Sequence, residues 1–278
     1  MLLNMGQGTW SWIVPDGLWE IARPLIPADR VRPQGGGKQN TPDETLFAAI
    51  IYVLVSGCAW RALPPCFGVS KSTVHRRFMI WSRAGVWGRL HEAVVHRLDD
   101  AGLGPRRCLP CRAGLRARAG KKGGEHAGPS PVDRGKPGSK MHILSDANGL
   151  PIIVGLSAAN VHDSLALKPM VEGHQTRHDP YRGRYFKPQR LHADKAYDIP
   201  HLRRWLWGKH IGVRIARKGV ESSERLGRRR WVIERTMSWL SGYRRLSPRY
   251  ERQPANYLAF LGLAAALCCY KRLLKLTM

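Results

Sequence analysis

The first strongly patterned segment of the chain is an apolar run from Leu46 to Val55, opened by Thr41-Pro-Asp-Glu44. A capping Thr, a Pro at the first helical position and a Glu three residues after the cap predict a helix start there. The nearly unbroken apolar character predicts that this helix is buried on most sides, and Gly57 ends it. After Trp60-Arg-Ala-Leu-Pro-Pro, the turn Phe67-Gly-Val-Ser70 leads into a second helix, in which Val74, Phe78 and Trp81 fall at i, i+4 and i+7. Lys71, His75, Arg76, Arg77 and Arg83 lie off that stripe.

Further along, Lys140 to Ser145 and Leu150 to Leu156 flank Asp146-Ala-Asn-Gly149, the pattern of two strands joined by a tight Asn-Gly turn. Asp163 opens a helix, a short strand reaches Asp194, and a helix holds Leu202, Trp205 and Leu206. Ile211, Val213 and Ile215 alternate as a strand, and a final helical stretch carries Trp231, Ile233, Glu234, Met237 and Leu240. The order hairpin, helix, strand, helix, strand, helix predicts an α/β fold, a mixed sheet with helices on its faces, preceded by a small all-α region. The Gly-, Arg-, Lys- and Pro-rich stretch 101–138 reads as a linker. This gives a helical region over 1–100, the linker, and an α/β domain over 139–278.

Charge sharpens the picture. Forty-six Lys and Arg against 20 Asp and Glu give a formal net charge of +26, while 43% hydrophobic residues argue against a disordered polycation. The excess is uneven, with 14 basic and 3 acidic residues in 201–250. A folded binder of polyanions, nucleic acid first among them, is the reading, with a merely well-solvated surface as the plain alternative. A helix, a Gly-containing turn and a basic amphipathic helix are the parts of a helix-turn-helix, in which Lys71, Arg76, Arg77 and Arg83 contact DNA. An ordinary helical hairpin with a solvated basic face would show the same residues.

The six cysteines show no secreted spacing and the N-terminus lacks a basic region followed by an apolar core, which predicts a cytoplasmic, reduced protein. The apolar run Leu258 to Tyr270 is 13 residues long, short of the ~20 that span a bilayer, so a buried C-terminal helix is expected.

Candidate chemistry centres on Asp194 and Glu234. One Asp at a strand end and one Glu on a facing helix can converge on divalent ions, and two such ions ~4 Å apart activate a nucleophile and neutralise a pentacovalent phosphorus. Spacing alone leaves a surface ion pair between Arg230 and Glu234 open. Asp146 fits a turn residue, Asp163 a helix cap, and Cys108-Leu-Pro-Cys111 half a zinc site without its second pair. His142, His162 and His192 receive no role.

Longer phrases carry a resemblance. They are Trp60-Arg-Ala-Leu-Pro, Arg76-Arg-Phe, Trp81-Ser-Arg, Gly128-Pro-Ser-Pro-Val-Asp-Arg-Gly-Lys-Pro-Gly-Ser-Lys140, Ala158-Ala-Asn-Val-His-Asp-Ser164, Ala193-Asp-Lys-Ala-Tyr-Asp198 and Arg229-Arg-Trp-Val-Ile-Glu-Arg-Thr236. Across residues 40–275 the chain resembles the DDE transposases of bacterial insertion sequences, the IS-five-like group. The resemblance implies an RNase-H-like catalytic domain and two Mg²⁺ or Mn²⁺ ions held by Asp194 and Glu234. It implies binding of double-stranded DNA at element ends and target, and at least a homodimer without membrane attachment. Arg228, Arg229, Arg230, Arg244 and Arg245 join the expected DNA-binding set.

One departure stands out. The family's first Asp belongs on the first strand, before the Gly-Pro-Ser-Pro-Val-Asp-Arg phrase, yet residues 101–124 contain no Asp or Glu. The stretch 106–117 has no Val, Ile, Thr or aromatic residue to favour a sheet, so a disrupted strand is expected. A shifted reading frame in GC-rich codons spells Arg, Gly, Ala, Pro and Cys, which suggests a local frameshift across 104–119. Asp133, in a Gly- and Pro-rich loop, is the candidate substitute ligand. The expected function is metal-dependent DNA strand cleavage and transfer; the alternative is an impaired remnant that binds DNA.

Overall fold

The apolar hairpin segment, buried on both faces of its first strand, sits at the heart of the sheet in a computed structural model of the chain. The structure describes residues 10–28, 41–102, 111–119, 124–131, 134–175, 188–220 and 223–277; for 111–119, 175, 223–230 and 276–277 only the backbone is described. The helices are α1 (Leu18–Ala22), α2 (Asp43–Ser56), α3 (Lys71–Arg83), α4 (Val86–Asp100), α5 (Leu167–Gln175), α6 (Pro200–Gly208), α7 (Ser223–Ser241) and α8 (Pro254–Thr277). The strands are β1 (Cys111–Ala119), β2 (Gly128–Pro129), β3 (Pro137–Ser145), β4 (Pro151–Ala158), β5 (Arg190–Ala193) and β6 (Gly212–Ile215).

The expected hairpin is β3 and β4, antiparallel, with Asp146 shaping its turn. The buried Asp146 Oδ1 accepts from Asn148 N at 2.9 Å and Leu150 N at 2.7 Å, and Gly149 takes φ 84°, which glycine adopts without a Cβ penalty.

In 111–119 the structure departs from the reading as a linker with a disrupted strand. That stretch runs as β1, paired antiparallel to β3 along Arg112↔Ser145 to Ala119↔Gly138 and parallel to β5 at Cys111↔Leu191 and Arg112↔His192. Backbone pairing on both sides overrides an unfavourable composition, because strand preference is set more by the sheet around a residue than by the residue. The path is β2-β3-β1-β5-β6, with β4 on β3.

Successive β3 side chains point to opposite faces. Met141 and Ile143 join one core with α1 to α4, α7 and α8, whereas Leu144 joins a second with Leu167 and Val171 of α5, Leu202 and Leu206 of α6, Leu191 and Ile215. Helices from both ends of the chain therefore share one hydrophobic cluster. α8 is long and apolar enough to cross a bilayer by length and composition, but 67% of its most apolar window is buried inside the protein. Phe260, Leu261, Leu263 and Leu267 supply that contact, as expected for a buried helix.

At the N-terminal side, α2 starts at Asp43 with Pro42 in the cap position, one residue beyond the expected Thr41 cap. Gly57 closes it with φ 70°, and a Cβ there would lie 2.7 Å from the Arg244 Cβ. The connection 57–70 carries two 3-10 turns, after which Ser70 Oγ accepts from Thr73 N at 3.2 Å and starts α3. The predicted stripe of α3, Val74, Phe78 and Trp81, is buried.

Candidate catalytic and DNA-binding site

β5 and β6 end side by side at Ala193↔Ile215, while β1 runs on past them to Ala119, and the loop after β5 carries its side chains on that rigid support. Asp194 is the first residue beyond β5. Its Oδ1 accepts from Ala196 N at 2.6 Å and caps the 3-10 turn Lys195–Tyr197, which aims an exposed carboxylate. Tyr197, buried below it, has its phenol pKa raised, first by burial and then by the charges of Asp163 and Asp194.

Glu234 is an exposed residue of α7, a helix held down by Val232, Thr236, Met237 and Leu240. Met237 and Leu240 share a core with Met141 and Ile143, so α7 covers that face of the sheet. β1 touches both supporting elements: α7 packs on it and β5 pairs with it. Carrying the β1–β5 register on from Arg112↔His192 by two residues sets Gly114 beside Asp194. Gly114 also pairs with Ile143, on the face that α7 covers. Position 114 is glycine and carries no carboxylate.

Among the described residues no group of three His, Cys, Asp or Glu side chains could hold a metal ion. The described carboxylates Asp194 and Glu234 thus do not form the three-ligand set expected of a two-ion centre. Asp133, the candidate substitute, and Cys108 lie outside the described residues, and β1 is described in its backbone alone at Cys111.

Asp163 does not cap its helix as expected. His162 does so through Nδ1, 3.4 Å from Ser164 N, while Asp163 Oδ1 pairs with Lys140 Nζ at 2.7 Å. His142 Nε2 lies 2.7 Å from Ser157 Oγ on the same face, and burial lowers its pKa to about 4.

The basic residues divide. Lys71, Arg76 and Arg83 of α3 are exposed and Arg77 is half-buried. Arg228, Arg229 and Arg230 lie on α7, with only their backbone described. Arg244 is exposed, but Arg245 is not available to DNA as expected: its buried guanidinium donates to Glu251 Oε1 and, at 2.8 Å, to Cys58 O. An ion pair with Glu251 and a bond to the Cys58 backbone carbonyl tie it inside the protein.

Sequence reading missed a feature beside Glu234. The Arg235 guanidinium lies 4.4 Å from the Trp231 ring and 4.8 Å from the Trp239 ring, and both tryptophans are exposed. The i, i+4, i+8 spacing was its signal.

Comparisons with known proteins fit this arrangement. A family described as "Putative transposase of IS4/5 family" matches residues 14–91, and one described as "Transposase DDE domain" matches 113–269. The "Putative transposase for insertion sequence element IS402" of Burkholderia cepacia is 38% identical over 190 residues, covering 67% of this chain and 87% of that protein. The "Insertion element IS402 uncharacterized 16.2 kDa protein" of the same organism is 35% identical over 91 residues, 32% of this chain and 62% of its own length. The structure titled "Mos1 transposase paired-end complex with left transposon end" overlaps 88% of this chain and 82% of its own at 12% identity and a TM-score of 0.26, too loose to bear on the fold. The α/β domain with its N-terminal helices is that of a DDE transposase. The chain belongs to the DDE-domain transposases of insertion sequences, in the IS4/5 group.

Proposed function

We propose that this chain is an insertion-sequence transposase that binds the terminal inverted repeats of its element as double-stranded DNA and is impaired in metal-dependent strand cleavage and transfer. The register of β1 against β5 supports this reading: continued two residues past Arg112↔His192, it brings Gly114, which has no carboxylate, level with Asp194. The strand order β4-β3-β1-β5-β6, with β1, β5 and β6 parallel and β3 reversed, supports an RNase-H-like domain. The exposed Lys71, Arg76 and Arg83 of α3 and the net charge of +26 support duplex binding. Joining two element ends calls for at least two copies of the chain, and DNA transactions of this kind belong to the cytoplasm of a bacterial cell.

The test is nicking of labelled duplex carrying the element's ends, in Mg²⁺ or Mn²⁺, by the native chain, Gly114→Asp and Gly114→Asp/Glu234→Gln. All three should bind the duplex. Cleavage should be weak or missing in the native chain, emerge in Gly114→Asp and vanish again in the double variant. A native chain that nicks as fast as Gly114→Asp would overturn the impairment, and Asp133 would be the next residue to replace. Failure of every variant to bind the ends would overturn the DNA reading itself.

A further inference from the structure

Four residues beyond Asp194 the surface opens into a cleft of about 410 Å³. Its walls are α6, through Arg204 and Trp207, and the segment after β6, through Arg217, Lys218 and Val220. Trp207 is 57% and Val220 73% exposed, an unusual amount of apolar surface to leave in water on one small patch.

The cleft is built, since Asp198 ties its two walls together. Its Oδ1 accepts from Arg203 Nε at 2.7 Å and its Oδ2 from Lys218 N at 2.8 Å. Arg203 then donates to Ile215 O at 2.8 Å at the end of β6. These bonds keep the Asp198 carboxyl ionised below its ordinary range, the Lys218 amide first and Arg203 second. Asp198 is thereby offset by Arg203, while Arg204, Arg217 and Lys218 remain as exposed cations around an exposed indole.

A flat aromatic face ringed by cations fits a base with phosphates on either side of it. Stacked, paired bases present no free face to an indole, so duplex DNA alone does not use Trp207; an unpaired nucleotide does. We infer that this cleft holds an unpaired nucleotide of the DNA strand that runs past Asp194, stacked on Trp207, with its flanking phosphates on Arg204, Arg217 and Lys218. The inference rests on the DNA-binding reading above and adds a strand-state preference to it. The cleft would hold the strand at a frayed or already cut end.

The experiment compares a short single-stranded oligonucleotide carrying 2-aminopurine with a blunt duplex of the element's end, for the native chain, Trp207→Ala, Trp207→Phe and Arg204→Gln. The native chain should quench the 2-aminopurine. Trp207→Ala should weaken single-strand binding about tenfold and leave the duplex within about twofold, because one base stacked on an aromatic ring contributes on that scale. Trp207→Phe should restore most of the affinity. Arg204→Gln should weaken the single strand and flatten its salt dependence. Equal single-strand affinity in the native chain, Trp207→Ala and Arg204→Gln would overturn the proposal. So would equal losses on both DNAs. Loss of duplex binding by the native chain would instead sink the DNA reading on which the cleft depends.

Discussion

Arg249 donates through Nη1 to Ser139 Oγ at 2.5 Å, joining the segment before α8 to β3 across 110 residues of chain. The same guanidinium donates to Glu125 O at 2.6 Å, Arg252 O at 2.8 Å and Glu251 O at 2.9 Å, and it is 1% exposed. Ser139 Oγ in turn donates to His126 O at 2.6 Å. Removing the guanidinium would break four hydrogen bonds at once, one of them to the fully buried Ser139. Arg249→Ala should therefore cost about 3 kcal/mol in urea unfolding, and Arg249→Lys should recover less than half, since an ammonium lacks the planar fork. A loss under about 1 kcal/mol would show that water replaces these bonds without penalty.

Acid should loosen the fold through His142. Burial lowers its pKa from 6.5 to about 4; Asp163 opposes that shift and Lys140 adds to it. Between those two values the unfolded chain binds the extra proton, so stability is present above pH 6.5 and is lost as pH falls toward 4. The full effect is about 3 kcal/mol. Asp146 works in the opposite sense, because burial raises its carboxyl pKa and protonation then favours the folded state. Comparing His142→Asn with the native chain isolates the first contribution: the variant's unfolding midpoint should fall less between pH 7 and pH 5. Parallel curves would refute the assignment.

The hairpin turn is sensitive to a single methyl. Gly149 has φ +84°, and a Cβ there would lie 2.9 Å from Thr236 Oγ1 and 3.2 Å from Val232 O. Thr236 Oγ1 sits 2.6 Å from Gly149 O, so α7 rests directly on the turn. Gly149→Ala should destabilise by about 2 kcal/mol or more, from left-handed strain plus the contact. Thr236→Val should cost about 1 kcal/mol, the net value of one buried hydrogen bond. Thermal melts of both variants check the order, and a neutral Gly149→Ala would be the contrary result.

Phosphate contacts from α3 should show themselves in salt. Lys71→Ala, Arg76→Ala and Arg83→Ala should each weaken duplex binding across sequences and reduce the slope of log affinity against log salt by about 1. Slopes identical to that of the native chain would move the duplex to another basic surface.

Much of the fold was readable because it follows local periodicity. The two strand-like runs around the Asn-Gly turn in 140–156, the Val74–Phe78–Trp81 stripe and the apolar positions of α6 and α7 each point to one neighbour, and the structure contains those elements. β1 was not readable, since it is a strand by virtue of its partners β3 and β5, neither of which its own residues announce. Of the site, the strand-end and helical settings of Asp194 and Glu234 were legible, while Gly114 became visible only through register. Arg245 looked like its basic neighbours; only Glu251, six residues on, hinted at an internal partner. The cleft at Trp207 joins α6 to the segment after β6, a juxtaposition that no sequence window contains.

The position of α8 has a consequence for how the protein is made. Phe260 stacks 4.3 Å from Phe78 and 5.9 Å from Trp60, so the last helix supplies aromatic surface to the first ones. During synthesis α2 and α3 leave the ribosome well before that surface exists. Their apolar faces must wait, exposed, until nearly the whole chain has been translated. Any message cut short upstream of residue 254 would release a sticky polypeptide whose N-terminal helices lack part of their core, so folded α2 and α3 report that translation reached α8.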